Sequence, residues 1–126
     1  MRAGLAFLAL VQAVVGGWML LAPRSFYANP WVHLHLPYNG HLLLDYGAMN
    51  LAMAVLLTIA VFRRAVVVPA LWVYLVHSTL HLAIHIGFAG QLPAGQSAAL
   101  VAALGVPVLL PALLLVTRRV RRTPRA

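Results

Sequence analysis

Four long apolar stretches constrain this chain more than any other feature, because each is long enough to cross a bilayer. They cover about residues 3–21, 41–62, 65–88 and 97–117. A helix needs about 20 apolar residues to cross the hydrocarbon core. Backbone groups in lipid must be satisfied within the segment, so helices are expected and not strands. We therefore predict an all-α fold: a four-helix transmembrane bundle that forms a single domain, residues 1–126, with a basic tail at 118–126.

The composition supports a membrane protein and narrows its chemistry. Apolar residues make up 63% of the chain and charged residues 8%, whereas a soluble domain carries about 25% charged residues. The chain has no cysteine, which excludes disulfides, thiolate metal sites and a cysteine nucleophile. The net charge of +8 does not predict a nucleic-acid partner, because the arginines lie in short hydrophilic gaps and in the tail.

The arginines also predict the orientation. Arg2 precedes the first span, Arg63 and Arg64 join the second to the third, and five arginines follow the fourth, whereas the other side has only Arg24. The positive-inside rule then places both termini in the cytoplasm of a multi-pass cell-membrane protein. The tail is expected to contact anionic lipid headgroups. Small residues such as Gly16 are compatible with a homo-oligomer.

All six histidines and the only acidic residue lie towards the predicted outer side. They are His33 and His35 in the first outer loop, His41 and Asp45 on the second span, and His77, His81 and His85 on the third. Residues four apart share one face of a helix. The second span therefore presents a His–Asp pair, and the third presents a stripe of three imidazoles.

This cluster predicts an outward-facing metal site, used for redox chemistry or for metal handling. Asp45 and His85 would each lie about 6 Å from the outer surface, at one level if the second and third spans pack as antiparallel neighbours, which their two-residue connection favours. Intramembrane ionisable groups usually face the bundle interior with a partner, and imidazole and carboxylate suit zinc, copper, iron or manganese. Three histidines at steps of four span about 12 Å, too far for one ion. The predicted ligands are therefore His41, Asp45, His81 and His85.

Other readings of the same residues remain open. His77 would lie beside the ligands, as a proton acceptor or part of a second site, with Tyr74 on its face. His33 and His35 are interpreted as interfacial loop residues, with a metal contact as the alternative.

Other functions also remain open: bis-histidine haem or quinone chemistry, a proton-coupled small transporter that uses Asp45, and a structural membrane subunit. In the last, the cluster would be a polar network between helices, at about 0.6–2 kcal/mol per contact. The sequence assigns no catalytic residue, and a single acid excludes paired-carboxylate glycosidase chemistry.

One motif carries a resemblance. Residues 37–52 contain Pro-Tyr-Asn-x-His-Leu-x-x-Asp-x-Gly-Ala-x-Asn-Leu-Ala, and the helix with three histidines follows. Together with an upstream pattern of Trp18, Leu20, Pro23 and Phe26, this resembles a group of uncharacterised four-helix integral membrane proteins from actinobacteria. A looser similarity in size and hydropathy links it to DoxX-like membrane proteins. The resemblance implies a shared fold and polar set, and no particular reaction.

Overall fold

The computed structural model describes the backbone of residues 1–120 and the side chains of residues 1–118. Its helices are α1 (Arg2–Leu21), α2 (Pro23–Tyr27), α3 (Pro30–His33), α4 (Gly40–Phe62), α5 (Val67–Gly87) and α6 (Ala94–Val120), with a 3-10 turn at Ala89–Gln91. No strand occurs within residues 1–120. Four helices, α1, α4, α5 and α6, are long and apolar enough to cross a membrane. The all-α prediction is confirmed, and a multi-pass membrane protein is indicated.

The helix boundaries follow the predicted ones closely, with two informative differences. The last spanning helix begins at Ala94, three residues earlier than predicted, because Pro93 is accommodated just before its first turn, where Pro93 O accepts from Ser97 N at 2.9 Å. The segment between α1 and α4, predicted as an outer loop, contains α2 and α3. Each begins with a proline, and the Asn29 side chain caps α3 by accepting from Trp31 N at 2.9 Å.

The spanning helices pack in two pairs, α1 with α4 and α5 with α6. The consecutive helices α4 and α5, expected from their short connection to be neighbours, do contact each other, but less extensively. The α1–α4 pair meets at two glycines. A Cβ placed on Gly16 would lie 2.8 Å from Gly47 O, and one on Gly47 would lie 2.9 Å from Met19 Cβ. The two helices therefore approach too closely for any side chain at either position.

A hydrogen bond joins α5 to α6 at the point where prolines interrupt the backbone hydrogen bonds of α6. Proline has no N–H, so Pro111 leaves the carbonyl of Pro107 without its intrahelical donor. The hydroxyl of Ser78 on α5 lies 3.0 Å from that carbonyl oxygen and 2.7 Å from Tyr74 O on its own helix. The sequence predicts a kink or locally open backbone here. In the structure α6 is a continuous helix. The carbonyl of Pro107, which lacks a donor within α6, accepts a hydrogen bond from Ser78 of α5.

The buried apolar core lies towards one end of the bundle. We call this end of the bundle the arginine end, because the turn with Arg63 and Arg64 lies there. The core there joins all four spanning helices and includes Leu5, Leu8, Leu57, Ala70, Leu71 and Leu114. The opposite end, the loop end, carries α2, α3 and the 3-10 turn. At the loop end the spanning helices enclose a cavity.

Candidate functional site

A cavity of about 670 Å³ lies at the loop end, between the four spanning helices and the segment that contains α2 and α3. This volume is in the range of about 300–1,000 Å³ typical of small-molecule sites. Most of its lining is apolar. Polar side chains of α4 and α5 line it as well, and we call six of them the polar wall: Asp45, Tyr46, Asn50, His77, His81 and His85.

The three histidines of α5 form a ladder along the polar wall because they are spaced by one helical turn. The ring centroids of His77 and His81 are 6.2 Å apart with planes 2° from parallel. Those of His81 and His85 are 4.6 Å apart at 76°. Tyr74, one turn before His77, also lines the cavity. The sequence-predicted stripe of imidazoles is therefore confirmed, and it faces the cavity.

Tyr46 links the ladder to α4. Its hydroxyl oxygen lies 3.1 Å from His81 Nδ1, in a hydrogen bond whose donor depends on the imidazole tautomer. Its ring also lies 5.9 Å from that of His77 and 5.5 Å from that of His81. The sequence places Tyr46 and Asn50 on another face of α4 from Asp45 and predicts bonds between helices for both. This is confirmed for Tyr46, whereas the Asn50 amide donates to Tyr46 O within α4, at 2.8 Å.

One nitrogen of the cavity-lining residue His85 has no partner among the described residues. Nδ1 of His85 is buried and makes no hydrogen bond to any described residue. A buried polar atom left unpaired costs about 1–3 kcal/mol. The nitrogen has almost no accessible surface, so a ligand in the cavity would bond to it only if the His85 ring turned.

Asp45 pairs with the histidine of its own helix. His41 Nδ1 lies 3.1 Å from Asp45 Oδ2, and the two side chains are 87% and 64% exposed. The prediction that Asp45 has a histidine partner is confirmed. An exposed i, i+4 pair of this kind is worth at most about 1 kcal/mol. Asp45 also lines the cavity, whereas His41 does not.

The four predicted metal ligands are brought together only in pairs. His41 lies with Asp45, and His81 with His85. Within the described part of the chain, no group of three or more histidine, cysteine or acidic residues is placed to hold a metal ion. The metal assignment therefore stays a prediction, and so does the role of His77 beside it.

The two loop histidines form a separate pair. The rings of His33 and His35 are 5.6 Å apart, and the backbone N–H of His35 donates to His33 Nδ1 at 3.1 Å. Both Leu34 and His35 have a left-handed backbone, with φ of 45° and 58°, which this side-chain bond helps to hold. Neither histidine lines the cavity. His33 is the last residue of α3, so only His35 lies outside a helix, and their interfacial position stays a prediction.

The sequence did not reveal which residues of α1, α3 and α6 line the cavity. Val15 and Met19 of α1, Trp31 of α3 and Leu104 of α6 all line the cavity. A polar residue within the first span, Gln12, was a usable signal, since it is 6% exposed and also lines the cavity. The apolar residues carry no such signal, because cavity-lining and lipid-facing leucines look alike in a sequence.

Comparisons of the chain with protein families, with curated proteins and with solved structures found no match. The resemblance to the actinobacterial group therefore stays a prediction.

Proposed function

We propose that this membrane protein binds a lipophilic small molecule in the loop-end cavity, with the polar head of the molecule against the polar wall. The observation that carries the proposal is the polar wall of six side chains, which includes His85, in a largely apolar cavity of about 670 Å³. An apolar pocket with a few convergent polar groups is the usual form of a small-molecule site.

The apolar lining determines the class of ligand. Val11, Val15, Leu100 and Leu104 line the cavity from α1 and α6, and burying apolar surface against them contributes about 25 cal/mol per Å². A hydrophilic metabolite would gain nothing from these walls. A lipophilic molecule would gain this free energy by burying its apolar surface in the cavity.

The polar wall determines the head group. A phenol and neutral imidazoles each both donate and accept hydrogen bonds, and Tyr46 and His81 already share one such bond. The wall therefore suits a head with a carbonyl or hydroxyl oxygen, as in a quinone or a phenol. Asp45 and His41 lie near the start of α4, where both side chains are exposed at the loop end.

A quinone titration tests this proposal. A benzoquinone with a decyl chain is added to the protein in lipid nanodiscs, and quenching of Trp31, which lines the cavity, is followed with Trp18 and Trp72 replaced by phenylalanine. We expect saturable quenching. His85→Leu should weaken binding at least about fivefold, the equivalent of about 1 kcal/mol for one lost hydrogen bond.

The matched control is His35→Leu, which makes the same substitution at a histidine that does not line the cavity. It should leave the affinity for the quinone unchanged. Quenching that rises linearly with quinone, as simple partitioning into the bilayer would give, contradicts the proposal. Equal affinities of the two histidine variants contradict the role of His85.

A transition-metal ion is a second candidate occupant. Asp45, His81 and His85 all line the cavity, and imidazole and carboxylate are ligands that suit a transition-metal ion. Binding would require Asp45 to turn from His41 towards the histidines. Elemental analysis of protein purified without chelator should then show one metal equivalent, absent in Asp45→Asn and in His81→Ala. Stoichiometric metal retained in both variants contradicts this ligand set.

We further propose that both termini lie in the cytoplasm and the loop end faces outward, supported by the arginine distribution. Because the chain has no cysteine, a single introduced one reports its own side. In intact cells, a membrane-impermeant maleimide should label Gln91→Cys and should label Arg63→Cys only after permeabilisation. The reverse pattern would contradict this orientation.

A further inference from the structure

A second apolar groove lies at the arginine end, between α5 and α6, far from the loop-end cavity. Its volume is about 510 Å³. It is lined from α5 by Val68, Trp72 and Leu75, and from α6 by Leu115, Val116 and Arg118. Trp72 is 55% exposed and Val116 is 60% exposed, so the groove opens on the outer surface of the bundle. In a bilayer this surface faces lipid.

One guanidinium lies at the end of this apolar groove and is held in place. Arg118 Nη2 donates to Arg64 O at 2.9 Å, which ties α6 to the turn between α4 and α5. Its other terminal nitrogen, Nη1, is buried without a hydrogen-bond partner among the described residues. The apolar groove therefore ends in a guanidinium that is tied to the turn between α4 and α5.

No acidic side chain of this chain can neutralise that cation. The only acidic residue is Asp45, which is paired with His41. Along α4, Asp45 is separated from Phe62, the residue before the arginine turn, by about 25 Å. The counter-charge for Arg118 must therefore come from outside the protein's own side chains.

We propose that this groove is a binding site for an anionic phospholipid, with one acyl chain along Trp72 and Val116 and the phosphate on Arg118. A guanidinium binds phosphate oxygens through paired N–H donors, and the apolar walls suit the acyl chain. The groove runs from the Arg118 guanidinium towards the membrane interior. The phosphate and the acyl chain of a phospholipid follow the same order from the headgroup inwards. The site depends only on the packing of α5 against α6, and not on the cavity.

Brominated lipids test the site, because bromine quenches tryptophan on contact. A protein with Trp72 as its single tryptophan (Trp18→Phe, Trp31→Phe) is placed in nanodiscs with brominated phosphatidylglycerol or brominated phosphatidylcholine. Half-maximal quenching is expected at an about fivefold lower mole fraction of the anionic lipid, the equivalent of about 1 kcal/mol for one cation. A protein with Trp18 as its single tryptophan, at the loop end, should show no preference.

Arg118→Gln should abolish the preference at Trp72, whereas Arg24→Gln, which removes a cation at the loop end, should leave it intact. Equal quenching by both lipids, or a preference that survives Arg118→Gln, overturns the proposal.

If Arg118→Gln does not fold, a competition experiment with the single-Trp72 protein tests the lipid site instead. Unbrominated phosphatidylglycerol should relieve quenching by the brominated anionic lipid, and glycerol 3-phosphate should not. Relief by glycerol 3-phosphate would assign the site to a free phosphate instead.

Discussion

Adding one methyl group at Gly16 should destabilise the bundle, whereas adding it at the next residue should not. In Gly16→Ala the new Cβ would lie 2.8 Å from Gly47 O, 3.0 Å from Asn50 Cβ and 3.1 Å from Leu51 N. Two of these atoms belong to the backbone of α4, so no change of rotamer can relieve the contact. In Gly17→Ala the Cβ would meet nothing within 4 Å.

The size of the effect follows from these contacts. The shortest lies about 0.6 Å inside ordinary van der Waals separation, so α1 and α4 must move apart over their whole crossing. Overpacking of this kind costs about 1–3 kcal/mol. Replacing glycine by alanine also favours a helix by about 1 kcal/mol, but this gain is common to both variants and cancels in their difference. We therefore expect Gly16→Ala to be less stable than Gly17→Ala by about 1–3 kcal/mol.

Unfolding in mixed micelles with increasing dodecyl sulfate, followed by far-ultraviolet circular dichroism, measures that difference. The reasoning is refuted if the two variants agree within about 0.5 kcal/mol, the spread of substitutions that touch nothing. Gly47, opposite Gly16, is one residue from Tyr46 of the polar wall, so Gly16→Ala is also expected to weaken quinone binding in the cavity.

Two further predictions concern bonds between helices. Ser78→Ala should lower the free energy of unfolding by about 0.6–2 kcal/mol, because Pro107 O loses its donor, whereas Thr58→Ala, which removes a bond to Ala54 O within α4, should cost less. Equal losses would show that the bond across α5 and α6 has no special role. Tyr46→Phe should cost about 0.6–2 kcal/mol through the lost bond to α5. A double-mutant cycle with His81→Phe should then give a coupling free energy above zero, and additive effects would contradict the pairing.

The sequence predicts the spanning helices well because each is bounded by residues with a strong physical effect. Arg63 ends α4, because a charged residue is costly within the bilayer, and Pro93 directly precedes the first turn of α6, a position that suits proline. The histidine ladder is equally predictable, because residues at steps of four share a helix face whatever the helix packs against.

The pairing of the helices was not predictable to the same degree. Gly16 indicates a close contact with another helix, but one sequence does not tell whether that helix is in the same chain or in a second copy. In the structure its partner is Gly47 of α4. The short connection at Arg63 favoured α4 and α5 as the tight pair, yet a short turn fixes only that two helices are adjacent, and side-chain size fixes how closely they pack.

The same limit applies to the site. The spacing of His41 and Asp45 predicts a shared face, and the pair is present at 3.1 Å. Whether that pair also faces His81 depends on how α4 is rotated about its own axis. The spacing of residues along the sequence does not determine that rotation. The structure turns Tyr46 towards His81 instead, and the predicted four-ligand set stays a prediction.

The ligand that the protein carries from its own membrane tests the central claim most directly. The protein is purified in mild detergent, extracted with organic solvent and compared by mass spectrometry with His85→Leu and Arg118→Gln. The account predicts a lipophilic molecule with a carbonyl or hydroxyl head, near one per chain, that is depleted in His85→Leu and retained in Arg118→Gln. An extract that has the composition of the bulk lipid and is the same for the unaltered protein and His85→Leu would contradict it.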